Sequence, residues 1–158
     1  MYQLGKEGEK LLPYEQSAKE VLQFAQEEAL GWGQNFVDPT FLLLGLAREE
    51  IIRQKLVDLK IDPVRIPRAV EFLTGWKRQA GLVRLPEGTV PFMLTLDARQ
   101  VIHFADLDAR KYKLSEINST NFLRGIIWVK DTLAAGVLLS LGLDRENMFY
   151  RVPPQVIY

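Results

Sequence analysis

The stretch Ala18-Lys19-Glu20-Val21-Leu22-Gln23-Phe24-Ala25-Gln26-Glu27-Glu28-Ala29 decides the fold, because eighty residues later the chain writes Ala98-Arg99-Gln100-Val101-Ile102-His103-Phe104-Ala105-Asp106-Leu107-Asp108-Ala109. In the first copy Ala18, Val21, Leu22, Ala25 and Ala29 recur at spacings of three and four, so they share one helical stripe. Ala98, Val101, Ile102, Ala105 and Ala109 form the same stripe in the second. Alanines in such a stripe let another backbone come close, and Phe24 and Phe104 lie beside it and widen it into a packing face. These positions read as core.

Working outward, the match continues without a gap. Trp32 meets Tyr112, Val37 meets Ile117, and Thr40, Leu43 and Gly45 meet Thr120, Leu123 and Gly125. After two extra residues in the second copy, Leu59-Lys60-Ile61-Asp62 aligns with Leu141-Gly142-Leu143-Asp144. Self-similarity over this length marks a duplicated unit. The second helix of each copy has a start signal: Asp38 can cap free amides with Pro39 at the first helical position, and Asn118 can do the same ahead of Ser119. Phe41 to Leu46 and Phe122 to Val129 are then central helices. Gly45 and Gly125 inside them each weaken helix preference by roughly 1 kcal/mol relative to alanine. Their recurrence implies that neighbouring helices pass close at those points.

A third helix is expected around Ile51 to Leu59, with a counterpart around Thr132 to Leu141 starting from an Asp131 cap. Asp62-Pro63 repeats the cap-and-proline signal and starts a fourth helix through Val70 to Leu73, ended at Gly75. The fourth helix of the second copy is expected to be short, since Pro153-Pro154 halts regular helix. The predicted fold is therefore all-α: two pseudo-symmetric four-helix repeats at 14–74 and 94–158, the second with an irregular C-terminal segment. The connection at 75–93 reads either as a short β-hairpin around Pro86-Glu87-Gly88-Thr89 or as an ordered irregular linker.

Composition excludes several functions. Twenty basic residues balance twenty acidic ones, so no net field gathers nucleic acid or anionic lipid. A local basic patch around Arg68, Lys77, Arg78 and Arg84 stands against the reading that these charges only solvate the connection. Without cysteine there is no disulfide, thiol nucleophile or thiolate metal site. His103 is the only histidine and reads as a surface residue, so no metal or cofactor is expected. Glu27-Glu28 and Glu49-Glu50 are adjacent carboxylates, which point about 100 degrees apart on a helix and read as solvated face. Neither a phosphate loop nor a nucleophile elbow is present. No apolar run is long enough for a membrane span or a signal peptide. The chain is expected to be noncatalytic and cytoplasmic, without membrane or nucleic-acid partners.

The duplicated pattern resembles the amino-terminal Clp repeat domain of the Clp unfoldases, the ring ATPases that feed proteins to a partner protease. Besides the opening helix, Gly33-Gln34-Asn35-Phe36-Val37 stands where that family has Gly-His-Asn before a small apolar residue. Phe41-Leu42-Leu43-Leu44-Gly45-Leu46 resembles its His-Leu-Leu-Leu-Gly-Leu run, and Leu59-Lys60-Ile61-Asp62 its Leu-Gly-Val-Asp ending. The resemblance covers residues 14 to 74 clearly and 94 to 145 more faintly. It implies a module that binds adaptors or substrates: an accessory, adaptor or docking module partnered by a Clp ATPase or protease subunit, or by a substrate or adaptor protein. A complete chain would resemble the free-standing repeat proteins that accompany Clp machines; an excised one, an unfoldase's docking domain. One branch of the family holds phosphoarginine with a glutamate in each repeat. Thr40 and Thr120 stand at those positions here, and a hydroxyl cannot offer guanidinium a bidentate carboxylate. The partner surface is expected where the repeats differ, with Trp32, Gln34, Phe36 and Phe41 near the first interhelix loop and Tyr112 and Asn121 across the pseudo-dyad. Alternatives are a structural module that stabilises an oligomer and a small-molecule or peptide sensor.

Overall fold

The computed structural model describes residues 10–79, 81, 83–89, 93–129, 131–143 and 152–154. Among them, the first repeat contains α1 (Gln16–Gly31), α2 (Pro39–Leu46), α3 (Glu50–Asp58) and α4 (Arg65–Thr74). The second contains α5 (Leu96–Lys111), α6 (Ser119–Trp128) and α7 (Leu133–Ser140). The expected fourth helix of the second repeat falls on residues 144–151, outside the described residues.

The start signals act as the sequence predicts in α2 and α6. Asp38 accepts from the Phe41 amide at 3.1 Å with Pro39 in the first turn. Asn118 and Asn121 form a reciprocal capping box at 3.0 and 2.9 Å. Two other starts differ. Asp131 takes a left-handed backbone (φ 65) and does not cap α7; Thr132 does, accepting from the Ala135 amide at 3.2 Å. Asp62 accepts from the Val64 amide at 3.0 Å, closing a turn ahead of α4, which has no side-chain cap of its own. Gly75 ends α4 in the left-handed conformation its missing Cβ permits.

The repeats interlock instead of standing side by side. Helix α1 packs on α2 and α5 on α6, and α2 faces α6 at the centre. Each third helix then crosses over, with α3 on α6 and α7 on α2, while α4 also packs on α7. Every residue of α2 is buried, which explains why Phe41 to Leu46 is apolar all round. A reciprocal backbone exchange closes the pseudo-dyad. Glu15 N donates to Ile117 O at 2.8 Å and Ile117 N to Pro13 O at 2.8 Å; eighty residues on, Thr95 N donates to Val37 O at 3.0 Å and Val37 N to Met93 O at 2.9 Å. The residues ahead of each repeat's first helix thus pair with those ahead of the other repeat's second.

Of the connection, residues 75–79, 81, 83–89 and 93 are described. A turn at Glu87-Gly88 is present, but no strand ladder forms among them, and Leu94 bridges to Val37 instead. The hairpin expectation at Leu82 and at Val90 to Phe92 lies outside the described residues.

Candidate functional site

The last turns of α1 carry a dense polar cluster. Glu27 and Glu28 are both buried, correcting their reading as a solvated face. Burial of an unpaired carboxylate is costly, so each is saturated with donors. Glu27 accepts from Arg48 Nη2 at 2.7 Å, from the Leu85 amide at 2.8 Å and from Gln23 Nε2 at 3.3 Å. Glu28 accepts from Arg48 Nη1 at 3.0 Å and from Arg78 Nη1 at 2.8 Å. Burial alone pushes Glu27 up, but the Leu85 amide, Arg48 and Gln23 outweigh it and hold the carboxyl below the ordinary range. Gln23 also donates to Leu85 O at 3.1 Å, and the Gln79 amide to Gly31 O at 2.9 Å. The connection is therefore latched along α1 through Arg78, Gln79 and Leu85.

The second repeat builds a related latch from the equivalent position. Asp108, aligned with Glu28, is buried and accepts from Arg124 Nε at 2.9 Å and Nη2 at 3.1 Å, and from Asn121 Nδ2 at 2.9 Å. Arg124 Nη1 donates to Val152 O at 2.6 Å, so this carboxylate also anchors the segment that follows its repeat.

Beside the first latch lies a groove of ≈ 580 Å³. Phe24, Leu44, Ala47, Pro63, Val64 and Pro67 supply its apolar lining. Arg48, Arg53, Arg78 and Arg84 also line it, against the single carboxylate of Glu28. The Arg48 guanidinium sits 4.3 Å over the Phe24 ring, a cation–π contact. At the equivalent positions of the second repeat, Trp128 stacks on Phe104 with ring centroids 5.2 Å apart. The repeats therefore differ at this surface, a guanidinium on one side and an indole on the other.

The expected site residues fall into two groups. Trp32, Phe41 and Asn121 are buried, the last within the Asp108 network. Gln34, Phe36 and Tyr112 are half-buried. Phe36 meets Phe41 edge-on at 6.0 Å, and Phe41 stacks with Trp76 at 6.1 Å, so the first interhelix loop carries an aromatic cluster that includes a residue of the connection. Tyr112 lies against Arg124 at 5.6 Å. Thr40 and Thr120 are buried in first helical turns. His103 and Glu49 are buried as well, correcting their readings as a surface residue and as part of a solvated face. Among the described residues no group of carboxylates and histidine could hold a metal ion, and no helix is long and apolar enough to cross a membrane.

The groove and latches are not legible in the sequence. Arg48 and Arg78 stand 20 and 50 residues beyond Glu28, with no local spacing to connect them. The only hint is a carboxylate pair on a helix that is otherwise apolar at every third or fourth position.

A family model described as the Clp repeat (R) N-terminal domain matches residues 13–141. The chain is 33% identical over 136 residues to the negative regulator of genetic competence ClpC/MecB of Bacillus subtilis, and 31% identical over 136 residues to the chaperone protein ClpB of Oceanobacillus iheyensis. Each match covers 85% of this chain but 16% of the relative. In fold, it is similar to the crystal structure of the N-terminal domain of the chaperone ClpD from Arabidopsis thaliana, with a TM-score of 0.72 at 21% identity, covering 92% of this chain and 96% of that one.

Proposed function

The chain belongs to the Clp repeat N-terminal domain family, whose domains are noncatalytic accessory modules, and on that premise we propose that it serves as an adaptor or docking module for a Clp unfoldase or its protease. The observation that carries this reading is the extent of the family match, 13–141, which takes in both repeats and the connection between them. Two features support binding over chemistry. Glu27, Glu28 and Asp108 are committed to arginines and, for Glu27, to the Leu85 amide, leaving these three no role in proton transfer. The surface near the first interhelix loop presents aromatic area at Phe36 and Trp76, residue types suited to protein contact. The partner in this reading is a Clp ATPase or protease subunit, or a substrate or adaptor delivered to one, and the compartment is the cytoplasm.

The test is capture from the native lysate on the immobilised chain, with and without ATP, and identification of partners by mass spectrometry. Enrichment of a Clp ATPase or protease subunit, reduced by Phe36→Ala in a variant shown to be folded, is the expected result. Absence of every Clp component from the captured fraction, when the lysate contains them and the bait is folded, overturns direct docking.

A further inference from the structure

We propose that the groove on the first repeat is a docking site for an acidic segment of a partner protein, seated by an apolar side chain between Pro63, Val64 and Pro67 and held by Arg53 and Arg84. The proposal rests on the protein-binding reading above and adds the place and the chemistry of the contact.

Charge complementarity selects the occupant. Arg48 and Arg78 are already engaged by Glu27 and Glu28. Arg53 and Arg84 line the same groove, are exposed, and have no carboxylate partner among the described residues. The groove therefore offers two uncompensated guanidinium groups, each able to take a carboxylate in bidentate geometry. A basic segment would meet net repulsion there.

The apolar part of the occupant follows from the walls. Val64 is 60% exposed although it sits beside two prolines that are partly buried. Prolines add no amide donors and hold a fixed backbone shape, so this wall is already formed and little ordering cost accompanies binding. The base is equally fixed: Arg48 is held over Phe24 and tied to both glutamates, and Arg78 is tied to Glu28. A volume of ≈ 580 Å³ fits one or two side chains and their flanking carboxylates, not a folded domain. The second repeat places Trp128 where Arg48 stands, so the acidic preference belongs to the first repeat.

The probe is a fluorescein-labelled peptide that alternates Asp and Glu with Phe and Leu, compared with a peptide in which Lys replaces every acid. Fluorescence anisotropy against the intact chain is expected to show saturable binding of the acidic peptide, none of the lysine peptide, and weakening with added salt. Arg53→Glu combined with Arg84→Glu is expected to weaken binding by about tenfold, as two exposed attractions become repulsions. Both arginines are exposed, and an unchanged melting temperature verifies the fold of the variant. Val64→Asp is expected to weaken the acidic peptide independently. Equal binding of the two peptides, no binding of either, or indifference to the double reversal overturns the proposal, as does concentration-dependent self-association that the double reversal abolishes, since the occupant would then be a second copy. Lysate capture reads the Clp assignment separately: loss of Clp components with retained acidic-peptide binding overturns the accessory role and leaves the groove assignment standing.

Discussion

Gly45 lies so close to Val21 that a β-carbon built on it would stand 2.7 Å from the Val21 carbonyl oxygen, and Gly125 stands in the same relation to Val101. Backbone on a packed helix cannot swing aside as a flexible side chain can. Alanine at either position should therefore destabilise, the overpacking cost of about 1–3 kcal/mol outweighing the gain of roughly 1 kcal/mol in helix preference. Gly136, inside α7, meets nothing within 4 Å at its β-position. Gly136→Ala should stabilise by up to about 1 kcal/mol. Chemical denaturation of the three variants checks the contrast, and stabilisation by Gly45→Ala would refute the close-approach account.

That approach is visible in the sequence because glycine weakens an apolar helix, and its recurrence at matched places in two of them points to a backbone that leaves no room for a side chain. The stripes of α1 and α5 and the caps at Asp38 and Asn118 are visible for similar reasons, since each depends on residues within one or two turns. What escapes is long-range. The crossing of α3 onto α6 and α7 onto α2 leaves no periodic trace. Nor does a sequence distinguish a glutamate in water from one buried against an arginine twenty residues away, which is why Glu27 and Glu28 read as surface. Asp131 misleads because its side chain suits a cap, while its backbone turns left-handed and passes the role to Thr132.

Removing the two equivalent carboxylates should have unequal effects. Arg124 has 3% side-chain exposure in its pair with Asp108, whereas Arg48 and Arg78 retain 25% and 31% beside Glu28. Asp108→Ala removes the acceptor of the Arg124 Nε and Nη2 bonds from a site that stays buried and should cost about 3–5 kcal/mol. Glu28→Ala leaves two guanidinium groups that can turn towards water and should cost less. Equilibrium unfolding in urea ranks the pair, and the reverse order would contradict the assignment of the deeper latch to the second repeat.

Acid should loosen the attachment of Leu85 to α1. The Glu27 carboxyl is held below the ordinary glutamate range because the Leu85 amide, Arg48 and Gln23 outweigh its burial. A lowered folded pKa means that the stabilisation is present above the unfolded value, about 4.3, and is lost as pH falls through the lower folded value. The Leu85 amide resonance, whose proton is donated to Glu27 at 2.8 Å, should shift with a midpoint below that of a free glutamate. Glu27→Gln should abolish this titration. A midpoint above about 4.3 would remove the electrostatic basis of the latch.

Glu49 should behave with the opposite sign. It is buried at the start of α3, where its carboxylate accepts from the Ile51 amide, and burial raises its pKa with help from the negative charges of Glu20 and Glu15, beyond what Ser119 and Ile51 pull back. A carboxyl whose folded pKa exceeds its unfolded one penalises the fold when ionised, and the penalty is relieved as pH falls through the folded value. Glu49→Gln keeps an acceptor for Ile51 while discarding the charge, so it should raise the melting temperature at pH 7. The advantage over the native chain should shrink as pH falls and vanish below the ordinary glutamate range, where Glu49 is protonated in both states. Melting curves of the two proteins between pH 7 and pH 3 test this, and a constant difference across that span would mean that shape, not charge, distinguishes them.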